Sequence, residues 1–209
     1  MKHNCPLCDN EAILFYKDKE AYYKCNNCLG IFEDEKDRVN LELEKKRYEM
    51  HDNDVEDKNY QKFVLPITSS ILKDYNKDSK GLDFGAGEGP IVSKVLDDNG
   101  FNIVQYDPFF HINIELLDFK YDYIASCEVI EHFYQPKKEF KLLRSMLKKG
   151  SKLYCMTELY NENINFETWY YKKDPTHVFF YQKETFEYIK KEFGFSSLEI
   201  DGRLVTFSY

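Results

Sequence analysis

Residues 81–90 read GLDFGAGEGP, a short apolar run that reaches an aspartate and then turns through three glycines at alternate positions into a proline. A glycine-rich turn directly after a strand lets backbone approach a ligand, because no Cβ stands in the way. From this turn onward strands and helices alternate. GLDF (81–84) predicts a strand, and PIVSKVLDDNG (90–100) a helix with Pro90 in its first turn and Gly100 near its end. NIVQYD (102–107) and YDYIASC (121–127) predict strands, the second apolar throughout as a central parallel strand should be. PKKEFKLLRSMLKKG (136–150) predicts a helix, SKLYCMTE (151–158) a strand, KETFEYIKKEFG (183–194) a helix and SLEI (197–200) a strand. Asp201-Gly202 is a hairpin signal, after which RLVTFSY (203–209) returns as an antiparallel strand. The fold class is therefore α/β: a doubly wound, mostly parallel sheet with an antiparallel last strand.

In such sheets the ligand lies beyond the carboxyl ends of the strands, where the glycine turn sits. The dinucleotide fingerprint G-x-G-x-x-G is not met: the glycines are Gly85, Gly87 and Gly89, and position 90 is proline. A phosphate-binding G-x-x-x-x-G-K-[ST] loop is not met either, since no Lys-Ser or Lys-Thr follows. Asp107 ends the next strand, 18 residues after Gly89. A carboxylate there can accept both hydroxyls of a ribose. The pair fits an adenosine ligand without a pyrophosphate.

A second constraint precedes the sheet. Cys5, Cys8, Cys25 and Cys28 have the spacing C-x2-C-x16-C-x2-C. Two such knuckles brought together by a hairpin complete a tetrahedral S4 shell for Zn2+, with no open position, so the ion is structural. AILFYK and AYYKC predict the hairpin, with DKE turning between them. So short a segment has too small a core to fold without the metal. Cys127 and Cys155 fall in apolar strands and read as buried small hydrophobes.

The chain of 209 residues divides into a zinc-ribbon-like module (1–35), a helical linker or lid (36–78) and the main domain (79–209). Residues 33–60 are highly charged, with a thin stripe of Leu41, Leu43, Tyr48 and Val55: an exposed helix broken at HDND (51–54). A further helix is expected over about 58–76, with Phe63, Ile67, Ile71 and Leu72 at helical spacing. The MKHNCPLC start has no apolar signal region and no stretch approaches a membrane span, which points to a cytoplasmic chain without a membrane partner. The net charge of −8 argues against a nucleic-acid partner.

Residues 81–209 resemble a class I S-adenosylmethionine-dependent methyltransferase. LDFGAGEG is similar to that family's first motif, YDP to its second, YDYIASCEVIEHF to its fourth-strand motif and LLRSMLKKGSKLYCMT to its fifth-strand region. One bacterial subgroup also carries a four-cysteine knot, a segment like RYEMHDND and a late motif like DPTHVFFY, all present here in that order. Ala86 stands where such proteins often have cysteine. The resemblance implies S-adenosylmethionine as cofactor, with Asp83, Gly85, Ala86 and Gly87 at its methionine end, Asp107 on the ribose, and Glu128 where cofactor and acceptor pockets meet.

Methyl transfer requires a nucleophile held in line with the methyl group and, for many acceptors, removal of its proton. His132 in EVIEHF lies at the ligand edge of the sheet; His177, with Asp174 and Thr176, lies in an insertion expected to cover that edge, walled by Trp169, Tyr170, Tyr171 and Phe179. His132, His177 and Asp174 are the candidate catalytic residues, and His51 a candidate lid element. The acceptor expected is a small molecule, methylated on O, N or C. The alternatives are methylation of a protein or RNA recognised by the zinc module, or a binding protein that keeps the fold without catalysis. Oligomeric state is not legible.

Overall fold

The computed structural model describes residues 3–50 and 54–209; the expected lid residue His51 falls outside them. The N-terminal part is the expected hairpin, β2 (Glu11–Lys17) and β3 (Ala21–Cys25), flanked by β1 (His3–Asn4) and β4 (Ile31–Glu33), all antiparallel. Helix α1 (Leu41–Glu49) follows, capped by the Asn40 side chain, which accepts from the Leu43 amide. The single helix expected over 58–76 is instead two, α2 (Lys58–Phe63) and α3 (Leu65–Asp74). Pro66 is the reason: without an N–H it cannot sit inside a helix, and it starts α3 instead.

The main sheet is built from β5 (Lys80–Phe84), α4 (Ile91–Asp98), β6 (Asn102–Tyr106), β7 (Tyr121–Cys127), α5 (Pro136–Ser145) and β8 (Leu147–Met156). It is completed, after the short β9 (Phe179–Phe180), by α6 (Lys183–Glu192), β10 (Ser197–Asp201) and β11 (Leu204–Ser208). The strand order is β10-β11-β8-β7-β5-β6. β5–β8 run parallel, and β11 is antiparallel to both its neighbours. The doubly wound sheet with its antiparallel last strand is as the sequence reads. The helix expected to reach residue 150 stops at Ser145, because Leu147 already pairs with Tyr121 and β8 carries a bulge through Gly150 (φ +84°).

Alternating residues serve two cores. Tyr123, Ala125 and Tyr154 face α3 and α4 through Ile67, Ile71, Val92 and Leu96. Leu82, Ile124, Leu153 and Val205 face the other way, onto Phe140, Leu143, Phe186 and Ile189 of α5 and α6. The chain leaves β5 for β6 on one side and returns to β7 on the other, so the sheet reverses direction at the end of β5.

The sequence did not reveal how the cysteine module attaches. β9 lies in the insertion after β8, yet it pairs with β4 (Ile31↔Phe180, Phe32↔Phe179) and completes the module's sheet as order β1-β2-β3-β4-β9. Trp169 and Phe179, expected to wall a site, are instead spent on this junction. Trp169 packs on Phe180, Tyr160 and Phe166, and Phe179 on Phe32 and Tyr181. Gly30 permits the contact: a Cβ there would meet Phe179 Cζ at 2.4 Å. Gly30→Ala should therefore lower the unfolding free energy by about 1–3 kcal/mol through overpacking; denaturant unfolding checks this, and an unchanged midpoint would show that the ring moves aside freely.

Candidate active site

The glycine turn is shaped by hydrogen bonds from the neighbouring strand. The Gly85 and Ala86 amides donate to the Tyr106 carbonyl (2.8 and 3.2 Å), and the Gly87 amide donates to Asp107 Oδ2 (3.0 Å). The other Asp107 oxygen accepts from the Phe109 and Phe110 amides at 2.8 and 3.1 Å. One carboxylate thus ties the loop after β5 to the loop after β6. Gly85 (φ +79°) and Gly87 (φ +66°) both adopt left-handed backbone, but their surroundings differ. A Cβ on Gly85 would strike Val129 at 2.5 Å, whereas one on Gly87 would meet no atom of the described residues within 4 Å. Gly85 answers a protein contact; Gly87 borders open space.

That space is a cavity of about 1150 Å³ beyond the strand ends, lined among others by Asp83, Gly85–Gly89, Asp107, Glu128, His132 and His177. All the expected main-domain site residues, Asp174 included, border it. Asp83 is the least available: it is buried, its Oδ2 accepts from the Ser93 amide and hydroxyl at the start of α4, and burial raises its pKa to about 6. Cys127, expected to be buried, is only partly so and lines the cavity; Cys155 is buried as expected.

Glu128 follows β7 in left-handed backbone (φ +53°), a strained conformation for a residue with a side chain. Its Oε2 pairs with Arg203, while its Oε1 is buried without a partner among the described residues. Arg203 also reaches Glu158 at 3.1 Å. Burial, and then the neighbouring Glu131, raise the Glu128 pKa. Arg203 escaped the sequence reading because nothing local to the Asp-Gly hairpin marks a residue that acts across the sheet, 75 positions from Glu128.

Glu131 is fully buried, held by the Thr157 hydroxyl (3.0 Å) and the Tyr171 hydroxyl. His132 and His177 lie beside it, with ring centroids 4.8 Å apart. The two rings make the same kind of backbone contact: His132 Nδ1 lies 2.9 Å from the Thr176 carbonyl, and His177 Nδ1 lies 2.7 Å from the Tyr171 carbonyl. A carbonyl only accepts, so each Nδ1 carries the proton and each Nε2 keeps its lone pair. Burial lowers both pKa values, and proximity to His132 lowers that of His177 further. Asp174 Oδ1 accepts from the Thr176 amide and hydroxyl, and Oδ2 from Arg47 at 2.7 Å. Burial alone would raise its pKa, but these partners outweigh it and hold the carboxyl at about 2.

Arg47 belongs to α1, the stretch expected to be a solvated linker. Leu41 and Leu43 are indeed exposed, but Glu44 is buried, and Glu44, Arg47 and Tyr48 form part of the cavity wall. Glu44 accepts from the Tyr48 and Tyr134 hydroxyls at 2.8 and 3.0 Å, and the Tyr48 ring abuts His132 and Phe109.

On the far side of the insertion the four N-terminal cysteines converge, their sulfurs within 4.8 Å of one another. Cys5 and Cys28 are 3.5 Å apart, Cys8 and Cys25 3.3 Å. A tetrahedral site with Zn–S bonds of about 2.3 Å needs sulfurs about 3.8 Å apart, so the donor set fits Zn2+. Both knuckles bend alike, through Asp9 (φ +60°) and Leu29 (φ +59°), each directly after the second cysteine of its pair.

Residues 57–200 match a family described as "Methyltransferase domain", and the chain belongs to that family. Its fold is that of Rossmann-like methyltransferases. Human N-acetylserotonin methyltransferase in complex with SAM superposes with a TM-score of 0.53 at 13% identity, over 71% of this chain and 53% of that one. The mitomycin 7-O-methyltransferase MmcR gives 0.51 at 13% identity, over 70% and 53%. An O-methyltransferase family protein from Burkholderia thailandensis gives 0.50 at 11% identity, over 71% and 56%. The chain thus spans only about half the length of these solved relatives. No curated protein matches it in sequence. Among the described residues no helix is long and apolar enough to cross a membrane.

Arg203 is the counter-charge that the buried carboxylates require. Arg203→Met should cost about 1–3 kcal/mol of stability by leaving Glu128 unpaired. Adding Glu128→Gln should recover part of that loss, and equilibrium unfolding of both single variants and the double variant measures the coupling. Strict additivity would mean that the pair is not coupled.

Proposed function

We propose that the chain transfers a methyl group from S-adenosylmethionine to a small-molecule acceptor. The observation that carries this reading is the open space beside Gly87, bordered by the Asp107 and Glu128 carboxylates and continuous with the histidine pair. Asp107 and the 85–87 backbone would hold the nucleoside. The Oε1 of Glu128, which has no partner among the described residues, would accept a donor of the ligand, and Asp83 would steady the turn by holding the start of α4. When bound, the cofactor supplies an activated methyl group on a sulfonium.

The chain's own residues then have separable tasks. Tyr48, Phe109, Tyr134 and Tyr170 wall the space. His132 and His177 present unprotonated Nε2 atoms to the acceptor. Asp174 acts through its neighbours, tying Arg47 of α1 to the Thr176–His177 turn, and so positions the histidines rather than touching the acceptor. A cavity of about 1150 Å³ exceeds the volume of a single ligand site, roughly 300–1,000 Å³, and leaves room for a compact acceptor beside the cofactor.

We further assign structural Zn2+ to Cys5, Cys8, Cys25 and Cys28. The subdivision that follows is a buttressing module (1–35), a cover (36–78) and a methyltransferase domain (79–209). The module's task is to brace the segment that carries His177: the Glu33 amide donates to the Val178 carbonyl, and Gln182 Nε2 donates to the Leu29 carbonyl.

Two experiments follow. Isothermal titration with S-adenosylhomocysteine should show one site of micromolar affinity, and Gly87→Arg should weaken it at least 100-fold while leaving the circular dichroism spectrum intact. No binding by the natural chain would refute the assignment. Metal analysis should give one zinc per chain, and chelation should speed amide exchange at residues 176–182 as well as 5–33. Exchange confined to the cysteine module would show that it braces nothing.

A further inference from the structure

The paired histidines raise a question that proton removal does not answer. Each ring spends its Nδ1–H on a backbone carbonyl, Thr176 for His132 and Tyr171 for His177. Each is therefore fixed in orientation, with its lone pair on Nε2. No described residue donates a hydrogen bond to either Nε2, and both rings line the same cavity with their centroids 4.8 Å apart. The Glu131 carboxylate joins them there: its Oε1 lies 4.0 Å from His177 Nε2. One donor atom from each of the three residues falls within 4.8 Å of the others.

We propose that His132, His177 and Glu131 bind a divalent first-row transition-metal ion at the acceptor end of the cavity. Imidazole and carboxylate are the ligands that such ions favour, and two histidines with one carboxylate leave open positions. The outer partners are those a metal site requires. An Nδ1–H given to a carbonyl fixes the tautomer and strengthens the Nε2 donor. The Thr157 and Tyr171 hydroxyls fix Glu131, and a carboxylate that accepts two hydrogen bonds still has lone pairs to offer. Tyr171 also packs at a tilt against His177, with centroids 4.2 Å apart, so one residue orients two of the three ligands. The cysteine cluster is a separate site of different chemistry: it offers only thiolates and no route to an acceptor.

The consequence for the acceptor rests on the methyltransferase reading; metal binding itself does not. A metal at this corner selects acceptors that present oxygen, such as a hydroxyl beside a second oxygen donor. An acceptor hydroxyl bound to it releases its proton to bulk water, so that no protein base is needed.

The test uses the full chain with its cysteine site loaded, and Mn2+ as probe, because Mn2+ competes poorly for thiolates. Loss of the free-ion electron paramagnetic resonance signal should report one Mn2+ per chain. His132→Ala and His177→Ala should each weaken binding at least tenfold, and Glu199→Gln, on the exposed β10, should not. If the histidine variants unfold, Glu131→Gln keeps the shape and removes the charge, and should weaken binding by a similar factor. No Mn2+ binding up to millimolar concentration, or binding unaffected by all three substitutions, overturns the proposal. S-adenosylhomocysteine titrated in parallel separates the two claims: a chain that binds Mn2+ but not the nucleoside keeps the metal site and loses the methyltransferase reading.

Discussion

The Asp107 carboxylate is the fastening on which the rest of the site depends. It accepts three backbone amides, one from the glycine turn after β5 and two from the loop after β6. Those loops diverge where the sheet reverses direction, and without a shared acceptor their amides would have to find water or another acceptor. Fastened, they leave a hollow that Gly87 does not fill. A carboxylate so committed is also pre-oriented, with one acceptor position on Oδ2 remaining for a ligand hydroxyl.

The second organising feature is the insertion after β8. It answers to two neighbours at once. Its outer face completes the cysteine module's sheet through Phe179 and Phe180, with Trp169 packed on Phe180. Its inner face delivers Tyr171, Asp174 and His177 to the cavity. A loop of this length would otherwise order poorly, since its backbone entropy must be offset by packing. The aromatic junction and the cysteine knuckles supply that packing. In this account a structural ion on one side of the insertion sets the precision of side chains on the other.

The sequence announces what is local and hides what is not. The glycine turn, Asp107 and the cysteine hairpin are legible because each depends on residues close in sequence or on a spacing that chemistry restricts. The strands β5–β8 are legible through their apolar runs. The split at Pro66 was legible in principle, from a proline within a helical pattern. The pairing of β9 with β4 was not: two phenylalanines carry no strand periodicity, and their partner lies about 150 residues away. For the same reason Trp169 reads as a site wall when it is a packing residue, and Arg203 reads as nothing when it neutralises Glu128. The charged α1 misleads because Glu44, a residue type rarely buried, is satisfied by two tyrosine hydroxyls.

The central claim is that the hollow between the glycine turn, Asp107 and Glu128 receives a sulfonium nucleoside. Backbone amide chemical shifts recorded with and without S-adenosylhomocysteine test it most directly. The account predicts large perturbations at residues 85–88, 107–110 and 127–129, with the cysteine knuckles unmoved. Perturbations confined to the knuckles or to the outer face of the insertion would contradict it.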